Sequence, residues 1–223
     1  MSEGKGGALR TIERAGEHEI EIKRSRFICA LARVTDEEQA REFIQQRRRA
    51  FHDARHNCSA FVLGDSGEIQ RSSDDGEPAG TAGVPMLEVL KRNDLTNVAA
   101  VVTRYFGGVK LGAGGLVRAY GGAVSEALEQ VGTLLRRPVR VMSVEADYVL
   151  AGGLDNELRS AGYQVADTSY ANSVTFRVNV PTDALGDFAA WLAETTGGAA
   201  SATESPLDYA ELPDPDSPKS RSR

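Results

Sequence analysis

Residues 97–131, NVAAVVTRYFGGVKLGAGGLVRAYGGAVSEALEQV, read as a strand, a glycine-rich loop and a helix. Val98 to Val102 is a β-branched apolar run without a polar break, the pattern of a strand buried on both faces. From Leu116 onward, Leu116, Ala119, Tyr120, Ala123, Ala127 and Val131 recur at helical spacing. Between strand and helix lie Gly107, Gly108, Gly112, Gly114 and Gly115, with Arg104, Lys110 and Arg118 around them. Free backbone N–H groups at a helix start, next to fixed positive charge, favour anions. The opposing reading is that the glycines only let strand and helix pack closely.

Upstream, Glu17–Glu21 and Phe27–Val34 alternate as strands, with Lys23, Arg24 and Arg26 at the corner between them. Thr35 and Glu38 fit a capping box that opens a helix with Ala40, Phe43, Ile44 and Phe51 as its apolar stripe. Arg47, Arg48 and Arg49 crowd its last turns, where cations suit the helix dipole. His56–Leu63 alternates as a third strand and forms a hairpin with Glu68–Gln70 across the turn GDSG. Residues 72–85, SSDDGEPAGTAGVP, are too rich in Gly and Pro for regular structure. Pro85 then suits the first turn of a helix running from Met86 to Arg92.

Downstream, Arg136, Arg137 and Pro138 mark a break. The order after it is strand (141–150), helix (154–161), strand (163–169), strand (174–180), helix (182–195) and strand (199–204). That is the βαββαβ, ferredoxin-like arrangement, which specifies a fold but no activity. From Leu212 the chain is rich in Pro, Asp and Ser, the composition of a disordered tail. The expected division is an N-terminal domain over 1–137, a ferredoxin-like domain over 138–206 and a disordered tail over 207–223. The fold class is α+β.

The 223 residues carry a formal charge of −6, unevenly spread. Residues 1–140 hold 21 Lys and Arg against 19 Asp and Glu, a net +2, and residues 141–223 hold 5 against 13, a net −8. The whole-chain balance therefore does not argue against nucleic acid at the first half. The polar start MSEGKGGALRTIERAGEHE lacks the apolar core of a signal peptide, and no apolar run approaches the ~20 residues of a membrane span. A cytoplasmic location is expected, with no membrane partner. Cys29 and Cys58, the only cysteines, sit in apolar strand patterns and are expected as buried thiols.

The glycine loop fails the phosphate-loop pattern, because no Lys-Ser/Thr follows at the required spacing. It also fails the dinucleotide fingerprint, because Val117 stands at the third glycine. What remains is a looser anion-binding site built from Arg104, Lys110, Gly112, Gly114, Gly115 and Arg118. Asp74, Asp75 and Glu77 match no calcium loop. Their carboxylates suit backbone N–H groups of the turn, or Arg104 or Arg118. Ser72, Ser73 and Thr81 carry hydroxyls that suit a phosphate as well as local turns. His56 shares a strand face with Cys58, but no positioned base and oxyanion site can be read beside them. His56, Asp74, Asp75, Glu77 and Thr81 are thus ligand-proximal candidates. No catalytic residue, metal ligand or cofactor is assigned.

The segments SRFICALARV, HNCSAF, SDDGEPAGTAGVPML and VVTRYFGGVKLGAGGLVRAY, in this order and spacing, resemble the IMPACT family, in particular its bacterial YigZ-type two-domain members. The match is strong over about residues 17–131 and weaker beyond, where SYANSVTFRVNVP carries it. The resemblance implies an N-terminal α/β sandwich like that of the ribosomal-protein and GHMP-kinase superfamily, followed by a ferredoxin-like domain. It brings no settled enzymatic activity. It implies a role in the regulation of translation, through RNA or a ribosome-associated protein. The alternative is an enzyme or binding protein for a small phosphorylated or nucleotide ligand at the glycine loop. Nothing in the sequence gives the oligomeric state.

Overall fold

The computed structural model describes residues 9–217. These form a mixed α/β protein of two compact units: residues up to Leu135 together with those from Leu212 onward, and Arg136–Glu211. In the first unit the order is β1 (Leu9–Ile12), β2 (Gly16–Ile22), β3 (Ser25–Arg33), α1 (Glu37–Ala50), β4 (His56–Leu63) and β5 (Ile69–Ser73). It continues with α2 (Gly83–Arg92), β6 (Val98–Tyr105) and α3 (Ala113–Val131). The sheet runs β2–β3–β6–β4–β5 with every neighbouring pair antiparallel.

Central β6 is buried from Val98 to Arg104, and the reason is visible on its two faces. Val98, Ala100 and Val102 join Cys58, Met86, Leu90 and the apolar stripe of α3 in one core, beneath α2 and α3. Ala99 and Val101 join Ala40, Ile44 and Phe61 in a second core beneath α1. The double-sided burial read from the sequence therefore holds. Alternation along β4 follows the same division, Cys58 and Ala60 facing one core and Phe61 and Leu63 the other. Both cysteines are buried and unpaired.

Helix ends differ from the sequence reading in detail. The N-cap of α1 is Asp36, not Thr35: its carboxylate accepts from Gln39 N at 2.8 Å, while Gln39 Oε1 accepts from Thr35 N at 3.1 Å. The same reciprocal logic operates one residue later. Ordered structure also enters both ends of the 72–85 segment, since β5 continues to Ser73 and α2 begins at Gly83.

The second unit is built on β7, which spans Thr133–Ala146 without interruption, so Arg136-Arg137-Pro138 lies inside a strand. It is followed by α4 (Tyr148–Ser160), β8 (Gln164–Tyr170), β9 (Val174–Pro181), α5 (Leu185–Thr196) and β10 (Ser201–Pro213). Its strands belong to a five-stranded sheet of order β1–β7–β9–β8 in which β10 also pairs with β7, with Leu154, Leu158, Phe188 and Leu192 of the two helices covering Val144, Phe176 and Val178. Residues 147–150, expected as strand, open α4 instead, because the Asp147 carboxylate caps it by accepting from Leu150 N at 2.8 Å.

The expected disordered tail is ordered as far as it is described. β10 runs to Pro213, and Asp214 returns to the first unit, accepting from Arg10 Nε at 2.8 Å and Thr133 Oγ1 at 2.5 Å. Burial works against the Asp214 carboxylate, but these donors and the Asp216 N–H hold its pKa below the usual range. Residues 218–223, the rest of that segment, lie outside the described residues.

Candidate anion-binding cleft

At the C-terminal end of β6 the chain passes through Phe106 to Lys110 into the first turn of α3. Here Arg55, His56, Glu77, Arg104, Phe106, Lys110 and the Gly112–Ala113 entry to α3 surround a cleft of about 410 Å³. Pro78, Phe106, Leu111, Ala113 and Leu116 give it an apolar wall, so a few polar groups converge in a largely apolar hollow.

Arg104 is the deepest cation. Its side chain is 7 % exposed and its Nη1 donates to Glu77 Oε1 at 2.6 Å; the Glu77 side chain is 4 % exposed. Tyr120 OH of α3 donates to the same oxygen at 2.8 Å. Phe27 and Phe106 lie against the Arg104 guanidinium at 5.4 and 5.6 Å from their ring centroids. The Nε of Arg104 is buried without a hydrogen-bond partner, and a buried donor of that kind is uncommon. Glu77 thus locks the glycine-loop segment to the acidic turn by a buried ion pair.

The other acids of the turn are also occupied. Asp74 accepts from Gly80 N, Ala82 N and Gly83 N at 2.8, 3.0 and 2.8 Å, fastening the start of α2. Burial opposes its ionisation, yet these N–H groups prevail and hold its pKa below the ordinary carboxylate range. Asp75 takes Arg48 Nη2 at 2.8 Å and Asn57 N at 2.7 Å. Its carbonyl oxygen lies 2.9 Å from His56 Nδ1; because a carbonyl only accepts, that nitrogen carries the proton. Thr81 is buried and donates to Pro78 O at 2.7 Å. Cys58 Sγ donates to Asp74 O at 2.9 Å, and its pKa is pushed up to about 12, mainly by burial.

The loop contrasts with that density. Gly112 caps α3 at φ 72° and offers no side-chain bond, so the amides of the first turn keep no capping partner from it. Space is open where a Gly112 Cβ would stand, and the nearest atom to a Gly114 Cβ would be Arg118 Nη1 at 3.9 Å. Close packing therefore does not explain these two glycines. It does explain Gly107, whose Cβ would fall 2.0 Å from the Arg24 backbone, and Gly115, whose Cβ would stand 3.0 Å from Leu111 Cβ.

The structure brings together only part of the expected set. Arg104, Lys110, Gly112, His56 and Glu77 line the cleft, whereas Asp74, Asp75 and Thr81 support the turn behind it. Gly114, Gly115 and exposed Arg118 lie further along α3, outside the lining. Arg47 and Arg48 are held by Glu17 and Asp75 and do not extend the cleft. Arg55 also lines the cleft, although a lone Arg in the α1–β4 connection carries no periodic or motif signal in the sequence. Lys110 and Arg55 make no ion pair among the described residues. No group of acidic, His or Cys side chains suited to a metal occurs among the described residues.

An antiparallel sheet between helices, with glycine loop and acidic turn joined by Glu77 and Arg104, defines the class of domain. The Impact N-terminal domain model matches residues 23–128, and a domain of unknown function (DUF1949) matches residues 144–199. The chain is 49 % identical to IMPACT family member YvyE of Bacillus subtilis, covering 90 % of this chain and 93 % of that protein. It is 40 % identical to IMPACT family member YigZ of Escherichia coli, over 80 % and 89 % of the two chains. A crystal structure described as a hypothetical protein superimposes with a TM-score of 0.56 at 37 % identity, covering 89 % of this chain and 98 % of that one. The chain belongs to the IMPACT family.

Proposed function

We propose that this chain is a non-enzymatic RNA-binding protein of the cytoplasm, whose cleft takes a phosphate of the RNA at the start of α3. The carrying observation is the pairing of Lys110 and Arg55, cations without an ion pair, with the uncapped first turn of α3 in one hollow. Phe106, 53 % exposed beside Arg104, offers a ring on which a base can stack. The strand order β10–β7–β9–β8 with α4 and α5 supports a ferredoxin-like second domain. Glycine loop and sheet together support a first domain of the ribosomal-protein and GHMP-kinase type. Both suit a translation-linked partner.

The non-enzymatic reading rests on the chemistry of the candidates. A thiol raised to about 12 and bonded to a carbonyl is a poor nucleophile, and Asp74 and Asp75 are committed to the turn. The test is binding of single-stranded RNA to the full chain by fluorescence anisotropy at several salt concentrations. Affinity should fall with salt and drop in a Lys110→Ala, Arg55→Ala double variant. Salt-independent binding, or an unchanged double variant, defeats the proposal. The largely apolar wall favours a second reading, a small phosphorylated or nucleotide ligand. Mononucleotide competing as well as RNA at equal phosphate concentration would select it.

A further inference from the structure

Arg48, which Asp75 holds, lines a second basic depression, about 260 Å³ in volume, between α1 and the free edge strand β5. Its walls include Arg41, Arg48, Arg71, Ser59, Ser72 and Ser73. The backbone explains why they meet. Register sets Ser73 opposite Ser59 and Arg71 opposite Phe61, and such cross-strand partners project from the same sheet face. Phe61 marks that face as the one packed under α1. Arg41 and Arg48 stand seven residues apart on α1, two turns along one side, flanking Ile44.

The charges do not cancel. Glu37 lies 2.5 Å from Arg41 and 4.0 Å from Arg71, and Asp75 takes Arg48 Nη2. Two carboxylates therefore face three guanidinium groups. Arg48 Nε is buried with no hydrogen-bond partner, a donor that protein acceptors leave unsatisfied. Guanidinium forks and serine hydroxyls suit a tetrahedral oxyanion, which accepts from several directions at once. A carboxylate offers only two oxygens for this many donors.

We propose that this depression is a phosphate-binding site, separate from the α3 cleft. It absorbs two sequence features that the cleft leaves aside, Arg48 from the arginine run of late α1 and Ser73 of β5. The phosphate belongs either to the backbone of a nucleic acid or to a small phosphorylated molecule, and the proposal stands whether or not the cleft binds RNA.

The test is amide chemical-shift titration of the labelled full chain with two probes separately: inorganic phosphate, and an oligouridylate lacking terminal phosphates. Saturable shifts at Ser72 and Ser73 are expected with at least one probe. Arg41→Ala with Arg71→Ala, both on exposed side chains, should weaken that binding about tenfold or more. Superimposable Val98–Val102 signals verify the fold, and Arg71→Ala alone replaces the double variant should it misfold. Binding by the oligonucleotide alone assigns a nucleic-acid backbone; tighter binding of inorganic phosphate assigns a small ligand. Absence of shifts at Ser72 and Ser73, or shifts indifferent to the arginine substitutions, overturns the proposal. Shifts confined to Ala113 and Gly114 would overturn it while leaving the cleft reading intact.

Discussion

The acidic turn at 74–83 and the β6 end with its glycine loop at 104–112 meet at one ion pair but use their polar groups in opposite ways. The turn spends its acids inward: Asp74 on three backbone amides, Asp75 on Arg48 and the Asn57 amide, Glu77 on Arg104 and Tyr120. The loop leaves Lys110 and the start of α3 without protein partners. Clustered charge in a sequence thus divides into groups that build a site and groups that remain to act in it. Only the second kind can gain from a ligand, because the first has already exchanged water for protein.

Breaking the inward set should cost most at Glu77. Glu77→Ala leaves Arg104 charged, nearly buried and short of its partner, and leaves Tyr120 OH without its acceptor. A loss of about 3–5 kcal/mol is expected in urea denaturation. Replacing both partners, Glu77→Leu with Arg104→Met, should destabilise less than Glu77→Ala alone, since no stranded charge remains. A double variant as weak as the sum of the singles would contradict the buried-pair argument.

Asp74→Asn comes next, at about 2 kcal/mol, the scale of a lost helix-start cap with charge-assisted bonds. Because the folded state holds the Asp74 carboxyl below its ordinary range, its contribution is complete above the unfolded pKa of about 3.9 and fades as pH falls through the folded value. Stability measured from about pH 5 down to about pH 2 should therefore fall less steeply in Asp74→Asn than in the parent. Asp214 adds a second acid-sensitive contribution of the same sign, so some slope should survive.

How far this contrast could be read from the chain depends on the range of the signal. β6 and α3 were legible because their apolar residues repeat at strand and helix periods, which burial on both sides then enforces. Arg104 and Glu77, 27 positions apart, carry no local mark that they pair; charge was visible, burial was not. At α4 the run Tyr148-Val149-Leu150 looked like strand, although Val149 is 92 % exposed and the Asp147 cap decides the conformation. The Pro- and Asp-rich end near Asp214 read as disorder by composition, whereas Arg10 and Thr133, both remote in sequence, bury its carboxylate. At Gly112 the sequence allowed either packing or ligand approach. Its positive φ with open space around it favours backbone geometry, so Gly112→Ala should cost about 1–3 kcal/mol of stability, from strain alone.

The smallest stability effect should fall on the free side of the comparison. Lys110→Ala removes a side chain that makes no ion pair among the described residues, so its unfolding free energy should stay within about 0.5 kcal/mol of the parent. Its effect on RNA binding should be much plainer. A lysine that neutralises one phosphate releases about one counterion, so the slope of log affinity against log salt should become shallower by about 1. The converse measurement completes the argument. Asp75→Asn, which loosens Arg48 and the Asn57 amide from the turn, should cost more stability than Lys110→Ala does. Equal slopes for the parent and Lys110→Ala would mean that the loop's free charge is not where RNA phosphate sits.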